Sequence, residues 1–316
     1  MLHSARRAVA AAPAFSAGWS AVAIAAGIAR FEEGPGPRRE GLRREGREAA
    51  AKALTLDPSN SEALAAQTWH MSSTDFTGQE ALLKRALKAR PLDCGCEHFQ
   101  YSVMLQNVGR YTDSAAEAAQ AVDMLAFDRE SQFSLARSLN ALGKREEAKQ
   151  HLDSMIELEP DPALAKDFIA ATEATETSDY TAGISALANS KLQLPAAQRA
   201  ALVAAFRAIA SGNAMMKSEA VRALVALPDD QQNYVVVRTL AALGASREAL
   251  QTFVKGINSR YDWPSLLWHP SMRAVLNEAA FPSVAKRLGL MNYWRTTNTR
   301  PDACASNAPA PFCRMI

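Results

Sequence analysis

The chain has 316 residues, of which 48% are hydrophobic and 22% charged, and these proportions exclude a disordered or collagen-like protein. Alanine occupies 63 positions, against 15 glycines and 15 prolines, which favours helix because alanine has the highest intrinsic helix propensity. The formal net charge of +2 gives no electrostatic reason to expect binding to nucleic acid or to an anionic membrane.

The N-terminal region is compatible with two interpretations. Two arginines precede an uncharged run from Ala8 to Ala29, as in a signal peptide or a weak signal anchor. The run contains few long apolar side chains, so we expect no membrane insertion. The other interpretation is the end of one repeat helix, a break at Pro13 and a new helix from about Ser16. The chain then opens halfway through a repeat, which would make Met1 a truncated start.

Two interleaved series of helix-breaking positions organise the chain. The first recurs at intervals of 33 to 36 residues and the second at intervals of 32 to 35. The first series is Pro58, Pro91, Ala126, Pro160, Pro195, Pro228 and Pro264, and the second is Asp75, Gly109, Gly143, Ser178, Gly212 and Gly244. Because proline cannot continue a helix, the two series predict a repeated unit of two helices, A and B.

Internal similarity supports the repeat. Residues 135–148 align without gaps on residues 236–249, and seven of the fourteen positions are identical. A period of 34 with an aromatic residue at Trp19 and small residues at Ala23, Ala136 and Ala148 resembles the tetratricopeptide repeat. Small residues are also expected where helix B crosses helix A, at Ala8, Ala53, Ala86 and Ala121. The resemblance implies an all-α, right-handed α-solenoid of about seven helical hairpins with a C-terminal helical cap.

The pattern divides the chain into repeats over residues 1–264 and a C-terminal cap with an irregular tail over residues 265–316. The first repeat carries an insertion at about residues 31–44, which we expect to be an exposed loop leading into a charged helix start. A solenoid must cover its last apolar face. We expect four side chains of the cap to cover the repeat between Pro228 and Pro264, namely Trp268, Leu288, Leu290 and Trp294.

The sequence contains no phosphate-binding loop and no catalytic motif. Its five histidines fall in different repeats, and in a solenoid each repeat touches only its neighbours. We therefore expect no catalytic residues, no cofactor and no enzymatic activity.

Cysteines form two groups. Cys94, Cys96 and His98 are weak candidates for metal ligands or for redox chemistry, but a zinc site would need a fourth ligand. The favoured interpretation is a turn in which buried thiols fill small gaps, without a disulfide in so small a ring. Cys304 and Cys313 lie in a proline-rich tail, where a disulfide would close a loop in an oxidising compartment. The sequence is compatible with a cytoplasmic or a periplasmic location, and this disulfide would favour the periplasm.

Several segments together resemble the repeat regions of bacterial signalling proteins, in which a winged-helix DNA-binding domain or a class III adenylate cyclase domain precedes tetratricopeptide repeats. These segments are Pro91–His98, Val108–Tyr111, Leu267–Pro270, Arg287–Arg295 and Arg300–Cys304. Neither effector domain precedes the repeats here, so the resemblance implies a recognition or sensory role, without nucleic-acid binding by this chain.

The expected function is a non-enzymatic scaffold whose concave surface, formed by the A helices, holds an extended peptide or a partner helix. A small-molecule, metal- or redox-sensing module that acts on a separate effector is the alternative. The sequence fixes neither the partner nor the oligomeric state.

Overall fold

The computed structural model describes residues 1–34, 36–89, 95–189, 191–257, 264–305 and 309–316, and these residues form helices without any β-strand. The α-helices are α1 Leu2–Ala11, α2 Ser16–Glu32, α3 Pro37–Leu56, α4 Ser61–Trp69, α5 Phe76–Lys88, α6 Cys96–Asn107, α7 Tyr111–Met124, α8 Arg129–Ala141, α9 Arg145–Glu157, α10 Pro162–Thr177, α11 Tyr180–Leu187, α12 Ala196–Ser211, α13 Ala214–Val225, α14 Tyr234–Ala242, α15 Ser246–Ile257, α16 Phe281–Arg287 and α17 Leu290–Thr297. Short 3₁₀ helices span Asp229–Gln231, Pro264–Trp268, Pro270–Asn277, Asp302–Ala305 and Pro311–Met315.

Seven helical hairpins follow α1. Each even-numbered helix from α2 to α14 packs against the odd-numbered helix that follows it. Even-numbered helices also contact one another along the stack, as α2 does with α4, α4 with α6 and α6 with α8. They therefore line the inner side of the stack and correspond to the predicted A helices. The predicted tetratricopeptide-like α-solenoid is confirmed.

The turns inside the hairpins explain the second series of breakers. Five of its members have a positive φ, between 59° and 84°, directly after an even-numbered helix: Gly109, Gly143, Ser178, Gly212 and Gly244. This left-handed conformation ends an α-helix and favours glycine, which has no Cβ to clash. Asp75 plays a different part, because its side chain accepts a hydrogen bond from the Gly78 amide and caps the start of α5.

Most of the predicted small contact residues are buried. Ala53, Ala86 and Ala121 are fully buried in odd-numbered helices. The prediction is wrong for Ala8, which is exposed, because α1 turns Ala5 and Val9 towards its neighbours instead.

The first repeat differs from the predicted loop. Residues 31–44 are mostly helical, since α2 continues to Glu32 and α3 begins at Pro37, where proline suits the first turn of a helix. Arg39 donates hydrogen bonds to the carbonyl oxygens of Arg30 (3.0 Å) and Glu33 (2.9 Å), which ties the start of α3 to the end of α2. The extra residues therefore lengthen two helices.

Residues 264–316, here called the C-terminal segment, contact α14 and α15 but also return to the middle of the stack. The indole N–H of Trp268 donates to the carbonyl of Asn107 (3.0 Å), and that of Trp294 donates to the carbonyl of Val108 (2.9 Å). The predicted docking of both tryptophans on the last repeat is wrong. The last carbonyl groups of a helix lack partners within the helix, and the end of α6 offers such acceptors to the two indoles. The division at residue 264 stays a prediction.

Candidate functional site on the inner face of α6, α8 and α10

Three phenylalanines occupy equivalent positions on three successive inner helices. Phe99 in α6, Phe133 in α8 and Phe168 in α10 are separated by 34 and 35 residues, one repeat each. Phe99 and Phe133 are half-buried, and Phe168 is 47% exposed. We call these three side chains the open row. The neighbouring side chains of α6 and α8, such as Gln100 and Ser134, are buried between helices, so the open row lies on the face that no helix covers.

The C-terminal ends of the same three helices are covered by the C-terminal segment. Asn107 accepts a hydrogen bond from the Ser265 amide on its Oδ1 (3.2 Å), and Arg137 donates from Nη2 to the Ser265 hydroxyl (3.0 Å). Glu176, two turns beyond Phe168, contacts His269. We call Asn107, Arg137 and Glu176 the covered end. The guanidinium of Arg137 also lies 5.8 Å from the ring centroid of Phe133, at the boundary between the two surfaces.

A buried polar cluster holds the segment at this end. Arg238 of α14 pairs with Glu173 of α10 at 3.1 Å and donates to the carbonyl of Thr172. Its Nη1 also lies 2.6 Å from Nε2 of His269. A guanidinium can only donate, so Nε2 accepts and Nδ1 of the neutral imidazole carries the proton towards Glu176. Two inner helices and the segment are thus joined by one hydrogen-bonded network.

Burial and charge set the protonation states in this cluster. Burial would raise the pKa of Glu173, but Arg238 and then His269 hold that pKa well below its usual range. Burial raises the pKa of Glu176 to about 7, although Arg238 opposes the shift. Burial and then Arg238 lower the pKa of His269 to about 3. At mildly acidic pH the carboxyl group of Glu176 is therefore protonated, and the imidazole of His269 stays neutral.

A second set of contacts fixes the segment to the turn between α6 and α7. Arg110 donates to Glu80 (2.9 Å) and to the hydroxyl of Tyr293 (2.8 Å). Asp302 accepts hydrogen bonds from the amide (2.7 Å) and the hydroxyl (3.0 Å) of Thr112, in the first turn of α7. Asp302 therefore caps α7 from a position 190 residues further along the chain.

Of the three predicted metal and redox candidates, the structure describes Cys96 and His98. Cys94 lies outside the described residues, and Cys96 is not a free thiol. His98 contacts Glu117 of α7 through Nδ1 at 2.7 Å, which holds its ring against the outer helix. Within the described ranges, no group of three or more His, Cys, Asp or Glu side chains is placed to hold a metal ion. The sulfur atoms of Cys304 and Cys313 are bonded in the structure, with their Cα atoms 5.5 Å apart.

Sequence reasoning missed the open row and the buried cluster. The phenylalanine spacing of 34 and 35 residues was visible in the sequence. The sequence predicts only that the five histidines do not converge with one another. It does not indicate that the returning segment carries His269 to α10 and α14.

No protein-family model and no curated protein matches this chain. Among solved structures, a chain in the structure of Naa15/Naa10 bound to HypK-THB is similar over 94% of this chain and 44% of its own length, with 16% identity and a TM-score of 0.34. The tetratricopeptide domain of P58(IPK) is similar over 94% of this chain and 84% of its own, with 13% identity and a TM-score of 0.26. Neither likeness supports the expected relation to winged-helix regulators or cyclase fusions, and TM-scores this low assign no function.

The uncharged run from Ala8 to Ala29 resembles a signal anchor in sequence, which raises the question of a membrane span. Across the described ranges, no helix combines the length and the apolar character needed to cross a bilayer.

Proposed function

We propose that this protein is a non-enzymatic interaction scaffold that binds a peptide segment of a protein partner along the open row. The observation that carries the proposal is the repetition of phenylalanine at one register position on α6, α8 and α10. Core packing alone does not explain this repetition, because the three side chains are only partly buried, although Phe133 also packs against the cluster that contains Leu152 and Ile169. Aromatic side chains of this kind are enriched at binding surfaces.

The spacing of the row suggests the form of the ligand. Packed helices lie about 8–10 Å apart, and a polyproline II segment advances about 9 Å in each three-residue turn. A peptide in this extended conformation, with an apolar side chain at every third position, would present those side chains on one face and contact each ring in turn. The guanidinium of Arg137 beside Phe133 favours an acidic residue in the same peptide.

Selection from a random peptide library on the immobilised full-length protein tests the proposal. We expect selected peptides to share the three-residue apolar spacing and to lose at least tenfold in affinity for the F99A/F133A/F168A variant. Phe127 offers a matched control, because it is 85% exposed in the turn between α7 and α8 and lies outside the row. F127A should bind the peptides as the unchanged protein does.

Equal binding by the triple variant and the unchanged protein, with both folded by circular dichroism, would refute the proposal. Loss of binding in F127A would refute it as well, because the ligand would then contact the turn between α7 and α8.

Two further parts of the proposal concern the setting of the protein. The bond between Cys304 and Cys313 supports an oxidising compartment such as the periplasm. The class of partner implied by the sequence resemblance is an effector in a bacterial signalling system. Trapping free thiols by alkylation in the native host tests the first part, because a cytoplasmic protein would be labelled at both cysteines.

A further inference from the structure

The end of the chain fills an aromatic pocket in the C-terminal segment. The ring of Phe312 lies 4.8 Å from that of Phe281, 5.7 Å from that of Trp294 and 6.3 Å from that of Trp268, measured between centroids. Phe312 is fully buried. The three surrounding rings come from three different helical stretches of the segment and also contact one another, as Trp268 does with Phe281 and Trp294. The pocket walls therefore do not depend on Phe312 alone.

Two side-chain hydrogen bonds also reach residues 309–316. Arg295 donates to the carbonyl of Met315 and Arg300 to that of Ile316, and both arginines are exposed. Exposed hydrogen bonds of this kind contribute little, because water replaces them at almost no cost. The other restraints on this tail are the bond between Cys304 and Cys313 and the packing of Ala310, Cys313 and Ile316 against the core.

The two cysteines of the disulfide differ in exposure. Cys304 is half-buried, whereas Cys313 is only 3% exposed. A thiolate of an external dithiol can attack Sγ of Cys304, so that the sulfur–sulfur bond breaks and Cys313 leaves as a thiolate that takes up a proton. The second thiol of the reductant then displaces Sγ of Cys304. Two electrons and two protons pass to the protein, and the dithiol becomes a disulfide.

We propose that residues 309–316 are a redox-released plug, and that the vacated pocket of Trp268, Phe281 and Trp294 binds a phenylalanine that follows a proline in a partner peptide. The plug itself shows the chemistry of the ligand, since Ala310 and Phe312 are buried while Pro311 between them is exposed. Proline fixes the backbone ahead of the aromatic ring and lowers the entropy lost on binding. This site is separate from the open row and does not rest on it.

Hydrogen exchange measures the release of the plug. The Cys313 amide donates to the Ala310 carbonyl (3.0 Å), so its exchange reports opening of this stretch. Loss of a ten-residue loop corresponds to a roughly 100-fold larger open population by the chain-entropy relation. We expect the exchange rate of this amide to rise by about that factor in dithiothreitol and equally in C304S/C313S, whereas the amide of Leu152 in α9 keeps its rate. An unchanged rate at Cys313 in dithiothreitol would overturn the proposal.

A labelled peptide tests the pocket in the full-length protein. The probe has the sequence Pro-Ala-Pro-Phe-Ser-Arg-Met-Ile, which is the tail with serine in place of cysteine, and binding is followed by fluorescence anisotropy. We expect no binding to the oxidised protein, measurable binding to C304S/C313S and at least tenfold tighter binding when F312A is added to that variant. The same peptide with alanine for phenylalanine should not bind.

Two results would overturn the proposal that the vacated pocket binds a peptide. One is a folded F312A/C304S/C313S protein that does not bind the probe. The other is loss of probe binding when F99A/F133A/F168A is introduced into C304S/C313S, because the probe would then occupy the open row. Retained probe binding in that combined variant supports the pocket even if the library peptides fail, so the two proposals are tested separately.

Discussion

The covered end and the open row lie on the same three helices, one to two turns apart, yet they are built differently. The covered end joins α8 and α10 to the C-terminal segment through Arg137 and Glu176, and it rests on the buried network around Arg238. The open row presents rings such as Phe168 without a partner helix above them. The inner side of the solenoid therefore has two adjacent parts. The C-terminal segment covers one part, and no described residue of the chain covers the other.

The difference shows that the chain itself covers part of its inner surface. A solenoid groove is continuous, and each repeat adds a similar strip to it. Here the indoles of Trp268 and Trp294 take the carbonyl groups at the end of α6, which fixes where the segment lies. The segment thereby covers the C-terminal ends of α6, α8 and α10 and leaves their N-terminal halves for the proposed ligand.

The largest contrast between the two surfaces is expected in stability. W294A should lower the free energy of unfolding by about 3–5 kcal/mol, because a fully buried indole and its hydrogen bond to Val108 are both lost. F168A should change it by less than about 1 kcal/mol, since that ring is half exposed. Urea denaturation of both variants measures the contrast. Equal costs would mean that the segment is not part of the core.

Breaking the buried network is expected to cost about 3 kcal/mol. R238M leaves the Glu173 carboxylate buried without its cation. The double variant E173Q/R238M removes both charges and should recover part of the loss, because no buried charge then stays unpaired. Thermal unfolding of the two variants compares them. A double variant that is less stable than R238M would contradict the pairing.

The pH dependence of Glu176 gives a smaller effect with a definite sign. Its pKa in the folded protein is raised from 4.5 to about 7, so its contribution to stability is present below pH 4.5 and is lost as the pH rises through 7. The pKa of His269 is lowered from 6.5, so its contribution is present above that pH and is lost as the pH falls. The two trends oppose each other between pH 4.5 and 6.5.

E176Q removes only the loss of stability that comes from ionisation of Glu176, because glutamine resembles the protonated carboxyl and does not titrate. Between pH 5.5 and 8.5 we expect E176Q to gain about 2 kcal/mol relative to the unchanged protein. E146Q, at an exposed position, serves as the control and should gain nothing. Urea denaturation at both pH values provides the measurement. An equal difference at the two pH values would show that Glu176 is not buried beside His269.

The smallest expected effect concerns the cap of α7. D302A removes an acceptor for the Thr112 amide and should cost about 1 kcal/mol, with faster exchange confined to the first turn of α7. D113A changes a carboxylate in the same turn that pairs with Arg110 at the surface, and it should leave the Thr112 amide protected. Exchange measured residue by residue separates the two. Faster exchange in D113A and none in D302A would contradict the long-range cap.

The sequence predicts the local part of this structure well. Breakers such as Gly109 and Ser178 mark the hairpin turns because a positive φ ends a helix regardless of tertiary context. The return of the C-terminal segment was not predictable in the same way. It depends on indole donors meeting carbonyl groups about 160 residues away, and nothing in the local pattern around Trp268 specifies that partner. The open row was predictable in part. The period of its phenylalanines is visible in the sequence, but the exposure of their side chains is known only from the folded structure.

The most direct test of the divided inner face is hydrogen exchange with and without a bound library peptide. The structure predicts slower exchange around Phe99, Phe133 and Phe168 and no change in residues 264–305. Faster exchange in residues 264–305, from displacement of the C-terminal segment, or protection confined to the odd-numbered helices would contradict a surface divided between the chain and its partner.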